Sequence, residues 1–288
     1  MKLPQFEYAS PATLTEAVAL LAQHHGDARL LAGGQSLVPL LAFRLASPQL
    51  LIDLRRLQGL DQIKIEHDGI RIGAMTRWCD IEANPDLVRA HPLLVEAVKH
   101  VAHYQIRNRG TIGGSLAHAD PAAEIPGIAV ACDATIGLTG SNGARTIAAD
   151  DFFIGPLTTA IRADEIIVEI CFPPWPRSRR WAFEEFARRR GDFALAGIAA
   201  FYDPDREGRA NNVHIGVIGA GPRPRRLLDA EREVNARAIE DRAIAAAAKA
   251  AAREVDPTDD IHASAAYRRA LVEALVERAL KSAAGREV

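Results

Sequence analysis

Two short segments, each built around a pair of glycines, carry the residues best suited to chemistry. The first reads AGGQSL over residues 32–37 and the second reads TIGGSL over residues 111–116. Glycine tolerates a positive φ and lets a ligand approach the backbone closely, and consecutive backbone N–H groups in such a turn form a concave anion site. Each segment taken singly also fits a plain hairpin turn. Two such segments in one domain suit an elongated ligand with a pyrophosphate in its middle.

The sequence around both segments resembles a known family. The strings LLAGGQSLVPLL (30–41) and QIRNRGTIGGSLAHADPAAE (105–124) resemble, nearly residue for residue, the FAD-binding medium subunits of the molybdenum hydroxylases. That family includes xanthine dehydrogenase, aerobic carbon monoxide dehydrogenase and bacterial hydroxylases of N-heterocycles. The string RRRGDFALAG (188–197) and the GAGP that begins at Gly219 also match, so the resemblance covers nearly the whole chain.

The resemblance implies an FAD site made from both segments. The first segment is expected to hold the FAD pyrophosphate, and the second to contact the pyrophosphate and ribityl chain from the opposite side. Glu124 is expected on the polyol portion of the cofactor, with Asp120 as a neighbouring alternative, and Phe193 at the border of the flavin ring. The expected cofactor-binding residues are therefore Ala32, Gly33, Gly34, Gln35, Ser36, Leu37, Thr111, Gly113, Gly114, Ser115, Asp120, Glu124 and Phe193.

Several of these residues also have a purely structural interpretation. Glu124 and Asp120 fit acids that satisfy a helix N-terminus, and Phe193 fits a core aromatic in a strand. The run Arg188 to Arg190 fits a solvated face or a docking surface for another subunit. Glu185 stands where some relatives have lysine, so no cofactor contact is assigned to it.

The resemblance also implies the role of the chain. It predicts an FAD-binding electron-transfer subunit, with substrate oxidised at a molybdenum cofactor in a large partner subunit. Electrons would cross two [2Fe–2S] clusters in a small partner subunit, reach the FAD and pass to an external acceptor. The expected assembly is a dimer of heterotrimers, a heterohexamer. The alternatives are a self-contained flavin-dependent oxidoreductase, which needs its own acid or base near the flavin, and a docking subunit without flavin.

Composition limits the class of protein. The 288 residues are 48% hydrophobic and 25% charged with a formal net charge of −2, which argues against a nucleic-acid partner. The sequence has no run of about 20 apolar residues for a membrane span and no signal-peptide pattern at its start, so a cytoplasmic location is expected. Cys79, Cys132 and Cys171 are far apart, which predicts reduced thiols and places any iron–sulfur centre on another subunit.

Helices and strands together must position the two glycine segments. Helices are predicted over 13–23, where Thr13 and Glu16 form a capping-box pattern, and over 93–101, 122–132, 239–254 and 265–280. The predicted strands are 29–32, 50–54, 63–66, 70–72, 134–139, 144–147, 166–172, 181–186, 195–202 and 213–218.

The predicted fold class is α+β. The resemblance implies a two-part FAD-binding domain of the vanillyl-alcohol-oxidase (PCMH) type plus a smaller C-terminal α/β domain. The FAD-binding domain is expected over 1–176, with subdomains of about 1–57 and 58–176, and the C-terminal domain over 177–288. The Pro-rich stretch 173–176 is the predicted linker between them, because X-Pro sequences enforce extended geometry.

One further pair of residues has a spacing that could suit a metal site. His100 and His103 are three residues apart on what the pattern predicts to be a helix, a spacing that allows both to face one ion. Because no matching third ligand is evident, surface or core histidines are the expected interpretation, and no metal is predicted in this chain.

Overall fold

The computed structural model describes residues 2–285, and it begins with a small parallel sheet. Strand β3 lies at its centre and is buried along its whole length, which explains its nearly unbroken apolar run. β1 and β2 pair with it in parallel, with Glu7 and Ala28 both opposite Leu50. The elements of this unit are β1 (Glu7–Ala9), α1 (Leu14–Gln23), β2 (Ala28–Leu31), α2 (Leu37–Ala42) and β3 (Leu50–Asp53).

The predicted capping box of the first helix is confirmed. Thr13 is the N-cap of α1: its hydroxyl accepts a hydrogen bond from the Glu16 amide, and the Glu16 carboxylate accepts one from the Thr13 amide. These bonds satisfy backbone donors that have no partner inside the helix. The local sequence therefore determines where α1 begins.

A second unit is built on an antiparallel sheet in the order β4–β5–β10–β6–β7. The strands predicted over 63–66 and 70–72 pair as an antiparallel hairpin, β4–β5, and those predicted over 134–139 and 144–147 pair as another, β6–β7. The helix predicted over 122–132 is α8, and all of its residues are buried. The elements are β4 (Ile63–Glu66), β5 (Gly69–Gly73), α3 (Trp78–Ala83), α4 (Pro85–Ala90), α5 (Pro92–Val98), α6 (Tyr104–Arg107), α7 (Ile112–His118), α8 (Glu124–Ala131), β6 (Thr135–Gly140), β7 (Gly143–Ala148), α9 (Ala149–Phe152), β8 (Phe153–Gly155), β9 (Thr158–Thr159) and β10 (Ile166–Phe172).

A third unit holds another antiparallel sheet, in the order β11–β12–β13–β14, with β15 paired to β13. Its two long helices pack together and cover one face of this sheet with an alanine-rich core. The elements are β11 (Arg180–Phe186), β12 (Ala196–Pro204), β13 (Arg209–Ile218), β14 (Arg225–Arg226), α10 (Leu228–Val234), β15 (Arg237–Ala238), α11 (Asp241–Glu254) and α12 (Ala265–Gly285). The ends of the predicted domain ranges, residue 1 and residues 286–288, lie outside the described residues.

The other face of the third sheet packs on α8 through small residues. A Cβ built on Gly127 of α8 would lie 2.1 Å from Cγ2 of Ile218, and one built on Gly216 would lie 2.6 Å from Cβ of Ala131. Glycine therefore permits α8 and β13 to approach more closely than side chains allow. The second and third units share one hydrophobic core at this junction.

The predicted linker is held in place by the residues around it. The Arg179 guanidinium lies 4.7 Å from the ring centroid of Trp175 and 4.5 Å from that of Phe201. The same guanidinium donates two hydrogen bonds of 2.8 Å to the Asp203 carboxylate. Cation–π contacts and a bidentate ion pair together fix the geometry of the connection between the second and third units.

No helix within the described residues 2–285 is long and apolar enough to cross a membrane.

Candidate functional site

The first glycine segment leaves the parallel sheet at the end of β2 and leads into α2. Gly34 has φ +73°, in the left-handed region that favours glycine, and the side chain of Ser36 makes no capping bond to α2. Within residues 2–285, the backbone N–H groups of Gly34 to Leu37 have no intramolecular hydrogen-bond acceptor. Ligands of open α/β sheets bind outside the carboxyl ends of parallel strands, and the segment lies at that end of β2. Free consecutive amides of this kind are donors that an anion can use, so the segment is a candidate anion site.

The second glycine segment is the start of a helix and not the predicted turn. Thr111 is the N-cap of α7, and Gly113, Gly114 and Ser115 follow inside its first turn. The Thr111 hydroxyl accepts a 3.2 Å hydrogen bond from the Gly114 amide. A polar cap outweighs the low helix propensity of the glycines because it satisfies one of the donors at the helix end.

The amides of this second segment already have partners. Those of Ile112 and Gly113 donate to the carbonyl oxygens of Thr76 (3.0 Å) and Ala74 (2.9 Å), and that of Ser115 donates to the Thr111 carbonyl (3.1 Å). A Cβ on Gly113 would lie 2.5 Å from Cβ of Ala74. Gly113 thus serves close packing of α7 on the segment after β5. The two glycine segments, which look alike in sequence, differ in the donors they offer.

The fold brings the two segments against each other. A Cβ built on Gly33 would lie 2.1 Å from the carbonyl oxygen of Arg109 and 2.8 Å from Cα of Gly110. Arg109 and Gly110 immediately precede Thr111, the cap of α7. Backbone therefore packs directly on backbone, and the first segment lies beside the residues that lead into the second.

The two acidic candidates follow α7. Asp120 accepts a 2.9 Å hydrogen bond from the Ala122 amide and so shapes the turn between α7 and α8. Glu124 is the first residue of α8 and is 7% exposed. Burial, together with the charges of Glu185 and Asp120, raises the pKa of Glu124 from 4.5 to about 8. Glu124 is therefore a buried carboxylic acid that is largely protonated at neutral pH.

Phe193 lies in the loop between β11 and β12, and 67% of its surface is exposed. The alternative that it is a core aromatic in a strand is wrong. Gly191 in the same loop has φ +87°, and a Cβ there would lie 2.5 Å from the His103 ring. The loop therefore reaches the stretch just before the second glycine segment.

The histidine pair is not on one helix. α5 ends at Val98, three residues before the predicted end, so that His100 lies in the turn after it and His103 is the N-cap of α6. Residues 2–285 contain no cluster of three or more His, Cys, Asp or Glu side chains able to hold a metal ion. The cysteines are free thiols: Cys132 is buried and the other two are partly buried.

Sequence reasoning missed one residue that belongs to this region. Glu185 on β11 has a side chain only 5% exposed, and its Oε2 is buried without a hydrogen-bond partner. A charged residue in a strand normally faces water, so nothing in the sequence marks it as buried. Its Oε1 is 3.8 Å from Nδ1 of His100.

The chain matches two family models in sequence order. Residues 4–175 match the FAD binding domain in molybdopterin dehydrogenase, and residues 181–283 match the CO dehydrogenase flavoprotein C-terminal domain.

Relatives match over nearly the whole chain. The chain is 41% identical to the nicotine 6-hydroxylase medium subunit of Paenarthrobacter nicotinovorans, over 99% of this chain and all of that protein. Among solved structures, carbon monoxide dehydrogenase from Hydrogenophaga pseudoflava, lacking the Mo-pyranopterin moiety of the molybdenum cofactor, superposes with a TM-score of 0.95 at 40% identity. That match covers 98% of both chains.

Quinoline 2-oxidoreductase from Pseudomonas putida 86 superposes with a TM-score of 0.94 at 38% identity, covering 99% of this chain and 98% of that one. The α+β fold, with an FAD-binding domain followed by a C-terminal domain, is thus confirmed. The chain belongs to the family of FAD-binding medium subunits of molybdenum-containing hydroxylases.

Proposed function

We propose that this chain is the FAD-carrying electron-transfer subunit of a molybdenum-containing oxidoreductase. The observation that carries the proposal is the run of free backbone N–H groups from Gly34 to Leu37, placed beside the start of the second glycine segment. Free amides that converge on one point bind a phosphate without a cationic side chain. The residues present therefore fit a nucleotide cofactor, and family membership identifies that cofactor as FAD.

Within this proposal the two segments have different tasks. The first segment holds the pyrophosphate, with Ala32 and Gly33 as its entry and the backbone amides of Gly34 to Leu37 as donors. The second supplies a wall through Gly113 and Gly114 and side-chain hydroxyls through Thr111 and Ser115, because its own amides are already bonded. This division is supported by the hydrogen-bond partners of each segment.

The remaining site residues are assigned to other parts of FAD. Glu124 is placed on the polyol portion, with Asp120 shaping the turn that positions it. Phe193 is placed against the flavin ring, which is supported by its exposure on a loop that reaches His103. FAD, when bound, exchanges electrons with other centres, whereas the protein binds and orients it.

Partner subunits complete the proposed enzyme. Within the described residues, no side-chain cluster could hold a metal ion, and the relatives are named as medium subunits or medium chains. We propose a small subunit with [2Fe–2S] clusters as the electron donor, a large subunit with the molybdenum cofactor as the site of substrate oxidation, and an external acceptor for the electrons. The heterohexameric assembly and the cytoplasmic location remain predictions of the sequence, as do the domain ranges 1–176 and 177–288.

The proposed cofactor site is tested by flavin content. The full chain is produced as the wild type and as Gly34→Ala, and bound flavin is quantified by absorbance and identified after release. The wild type is expected to carry about one FAD per chain. The variant is expected to carry several-fold less, because a side chain at a positive φ costs about 1–2 kcal/mol and shifts the amides away from the phosphate.

A matched control separates binding from folding. Gly59 has φ +83° and open space around its Cβ position, so Gly59→Ala imposes the same backbone strain outside the proposed site. Equal flavin content in the two variants would refute the placement of the pyrophosphate. A wild-type chain that binds no FAD would refute the function itself.

The electron-transfer role needs the partners. Co-expression with the small and large subunits is expected to give a complex in which substrate bleaches the flavin absorbance. In a complex assembled with flavin-depleted medium subunit, substrate is expected to reduce only the iron–sulfur centres. If a complete complex converts its substrate while the flavin stays oxidised, the proposed electron route is contradicted.

A further inference from the structure

A single buried arginine near the C-terminus holds three segments of the chain together. Arg268 lies in the first turn of α12 and is 7% exposed. Its guanidinium donates hydrogen bonds to the carbonyl oxygens of Leu195 (2.7 Å) and Gly219 (2.8 Å), and to the Asp260 carboxylate (2.6 Å). The rigid fork of N–H donors in arginine allows one side chain to bond several acceptors at once.

The first carbonyl fixes the end of the Phe193 loop, the segment 187–195 between β11 and β12. Leu195 is the last residue of this loop. Its amide donates a 2.8 Å hydrogen bond to the carbonyl oxygen of Phe186, the last residue of β11, while its own carbonyl accepts from Arg268. Leu195 is 6% exposed, whereas Phe193 is 67% exposed. The exposed aromatic therefore lies two residues from a loop end that is buried and bonded through both its amide and its carbonyl.

The second carbonyl connects this loop to the region of the second glycine segment. Gly219 follows β13 directly and has φ +72°, and a Cβ built there would lie 2.8 Å from the carbonyl oxygen of Ala194. The Gly219 amide donates a 2.9 Å hydrogen bond to the carbonyl oxygen of Pro121. Pro121 lies in the turn between α7 and α8, next to Asp120. Arg268 thus bonds to a residue that itself bonds to the turn after the second glycine segment.

The third acceptor ties the guanidinium to the segment that leads into α12. Oδ1 of Asp260 accepts a 2.8 Å hydrogen bond from the His262 amide, and its Oδ2 accepts the bond from Arg268. The carbonyl oxygen of His262 accepts a hydrogen bond from the guanidinium of Arg188, near the start of the Phe193 loop. This loop is therefore bonded to α12, or to the segment before it, near both of its ends.

Neither the helix nor the core requires an arginine at position 268. A positive charge in the first turn of a helix opposes the helix dipole, and burying a charge is costly even when it is paired. Replacing a buried ionic group by an apolar one is often neutral for stability. What Arg268 provides, and an apolar side chain cannot, is a fixed position for the segments that it bonds.

We propose that Arg268 is a positioning residue for FAD, which fixes the Phe193 loop against the turn between α7 and α8 so that Phe193 keeps its place at the flavin ring. The inference rests on the proposed function, because it takes FAD to lie where that function places it. Arg268 touches no cofactor atom in this account and acts through Leu195 and Gly219.

The restraint on the loop is measured first, on the full chain freed of flavin. Arg188 to Arg190 are exposed in the Phe193 loop, so trypsin reports how often this loop opens. Arg268→Lys keeps a charge for Asp260 but replaces the fork by a single ammonium group, and it is expected to be cut within 188–190 several-fold faster than the wild type. Cleavage after Arg206, in the exposed turn between β12 and β13, is the internal reference and is expected to be unchanged.

The consequence for the cofactor is measured as the dissociation constant of FAD and the visible circular dichroism of the bound flavin. In Arg268→Lys the dissociation constant is expected to rise by about three- to tenfold, the loss of about one hydrogen bond's worth of positioning. The dichroism bands are expected to change in shape, because they report the contacts of the flavin ring.

A double-mutant cycle with Phe193→Ala tests whether Arg268 acts through this loop. Phe193→Ala alone is expected to weaken FAD binding. Arg268→Lys added to it is expected to weaken binding much less than it does in the wild-type background. A residue that only stabilised the fold would weaken binding equally in both backgrounds.

Arg269→Lys provides the matched control. Arg269 is the next residue on α12, its side chain is 43% exposed, and it pairs with Asp256 at 3.5 Å. This variant makes the same chemical change one residue away and is expected to leave trypsin cleavage, FAD affinity and dichroism unchanged.

A second variant serves if Arg268→Lys does not fold. Asp260→Asn removes the charge that orients the guanidinium but keeps a side-chain oxygen for the His262 amide. It is expected to move the same measurements in the same direction by a smaller factor.

The outcomes separate the inference from the proposed function. If the wild type binds FAD while the Arg268 variant keeps wild-type cleavage within 188–190, or wild-type FAD affinity and dichroism, the inference is overturned and the proposed function stands. Strictly additive losses in the double-mutant cycle also overturn the inference alone. If the wild type binds no FAD, the proposed function fails and the role of Arg268 toward FAD fails with it.

Discussion

At the scale of single residues, glycine serves several purposes in the proposed site. Gly34 provides a positive φ, Gly33 allows two backbones to touch, and Gly113 allows α7 to pack on Ala74. The sequence pattern suggests one purpose for all of them, close approach by a ligand. The structure attributes Gly33 and Gly113 to packing between protein segments, and Gly34 to its positive φ.

The first prediction concerns Gly33. A Cβ at Gly33 would lie 2.1 Å from the Arg109 carbonyl, so Gly33→Ala must push the two glycine segments apart. Overpacking of this kind costs about 1–3 kcal/mol, and we expect the melting temperature to fall by several degrees together with flavin content. Gly155→Ala, at a position with open space and no positive φ, is the control. Equal melting temperatures would contradict the assigned packing role.

A second prediction at this scale follows from Glu124. Its pKa is raised from 4.5 to about 8 in the folded chain, so the fold binds more protons than the unfolded chain between those values. The contribution of Glu124 to stability is therefore fully present below pH 4.5 and is lost as the pH rises to about 8, at up to about 1.4 kcal/mol per pH unit.

The measurement compares the unfolding free energy of flavin-free wild type and Glu124→Gln across this range. The difference in unfolding free energy between the two proteins is expected to change by up to about 1.4 kcal/mol per pH unit. Other titrating groups, such as His91, are common to both proteins and do not contribute to this difference. Parallel curves would show that Glu124 does not titrate with an elevated pKa.

At the scale of elements, local signals in the sequence predict where some elements begin, and tertiary contacts decide the rest. The capping box of α1 depends on Thr13 and Glu16 alone and was predictable. The start of α7 was not, because two glycines favour a turn and only the Thr111 cap together with contacts to Ala74 and Thr76 makes the segment helical. α5 likewise ends three residues early, where the chain turns to bring His100 against β11.

The candidate site was predictable to a similar degree. The residues of both segments follow from the resemblance, because long strings in the chain specify the family. Which amides are free depends on hydrogen bonds to Thr76 and Ala74, residues remote from the motif in sequence. The buried state of Glu185 depends on how β11 packs and has no signal in the alternation of its strand.

The prediction at this scale concerns the cap of α7. Thr111→Ala removes the acceptor of the Gly114 amide in a buried position and is expected to destabilise the chain by about 1–2 kcal/mol. Thr111→Ser keeps the hydroxyl, so this variant is expected to lose much less stability. Chemical denaturation of the flavin-free proteins measures both. A Thr111→Ala chain as stable as wild type would show that α7 does not depend on its cap.

At the scale of the whole molecule, the C-terminal sheet is held between two layers. One face packs on α10 and α12, with α11 packed against both helices, and the other face packs on α8 of the FAD-binding domain. α8 begins with Glu124, and all of its residues are buried between the second unit and this sheet. The same sheet carries Glu185 and the loop of Phe193. The C-terminal domain therefore packs against the helix that begins at Glu124.

The last prediction tests this junction at the contact between Gly127 and Ile218. A Cβ on Gly127 would lie 2.1 Å from Cγ2 of Ile218, so Gly127→Ala is expected to destabilise the chain by about 1–3 kcal/mol and to lower its affinity for FAD. Ile218→Ala alone leaves a cavity and costs about 2–5 kcal/mol. In the double variant the new methyl group occupies part of that cavity, so the combined loss of stability is expected to be smaller than the sum of the two single losses. Denaturation midpoints and FAD titrations of all four proteins measure this coupling; strictly additive losses would show that α8 and β13 do not meet at these residues.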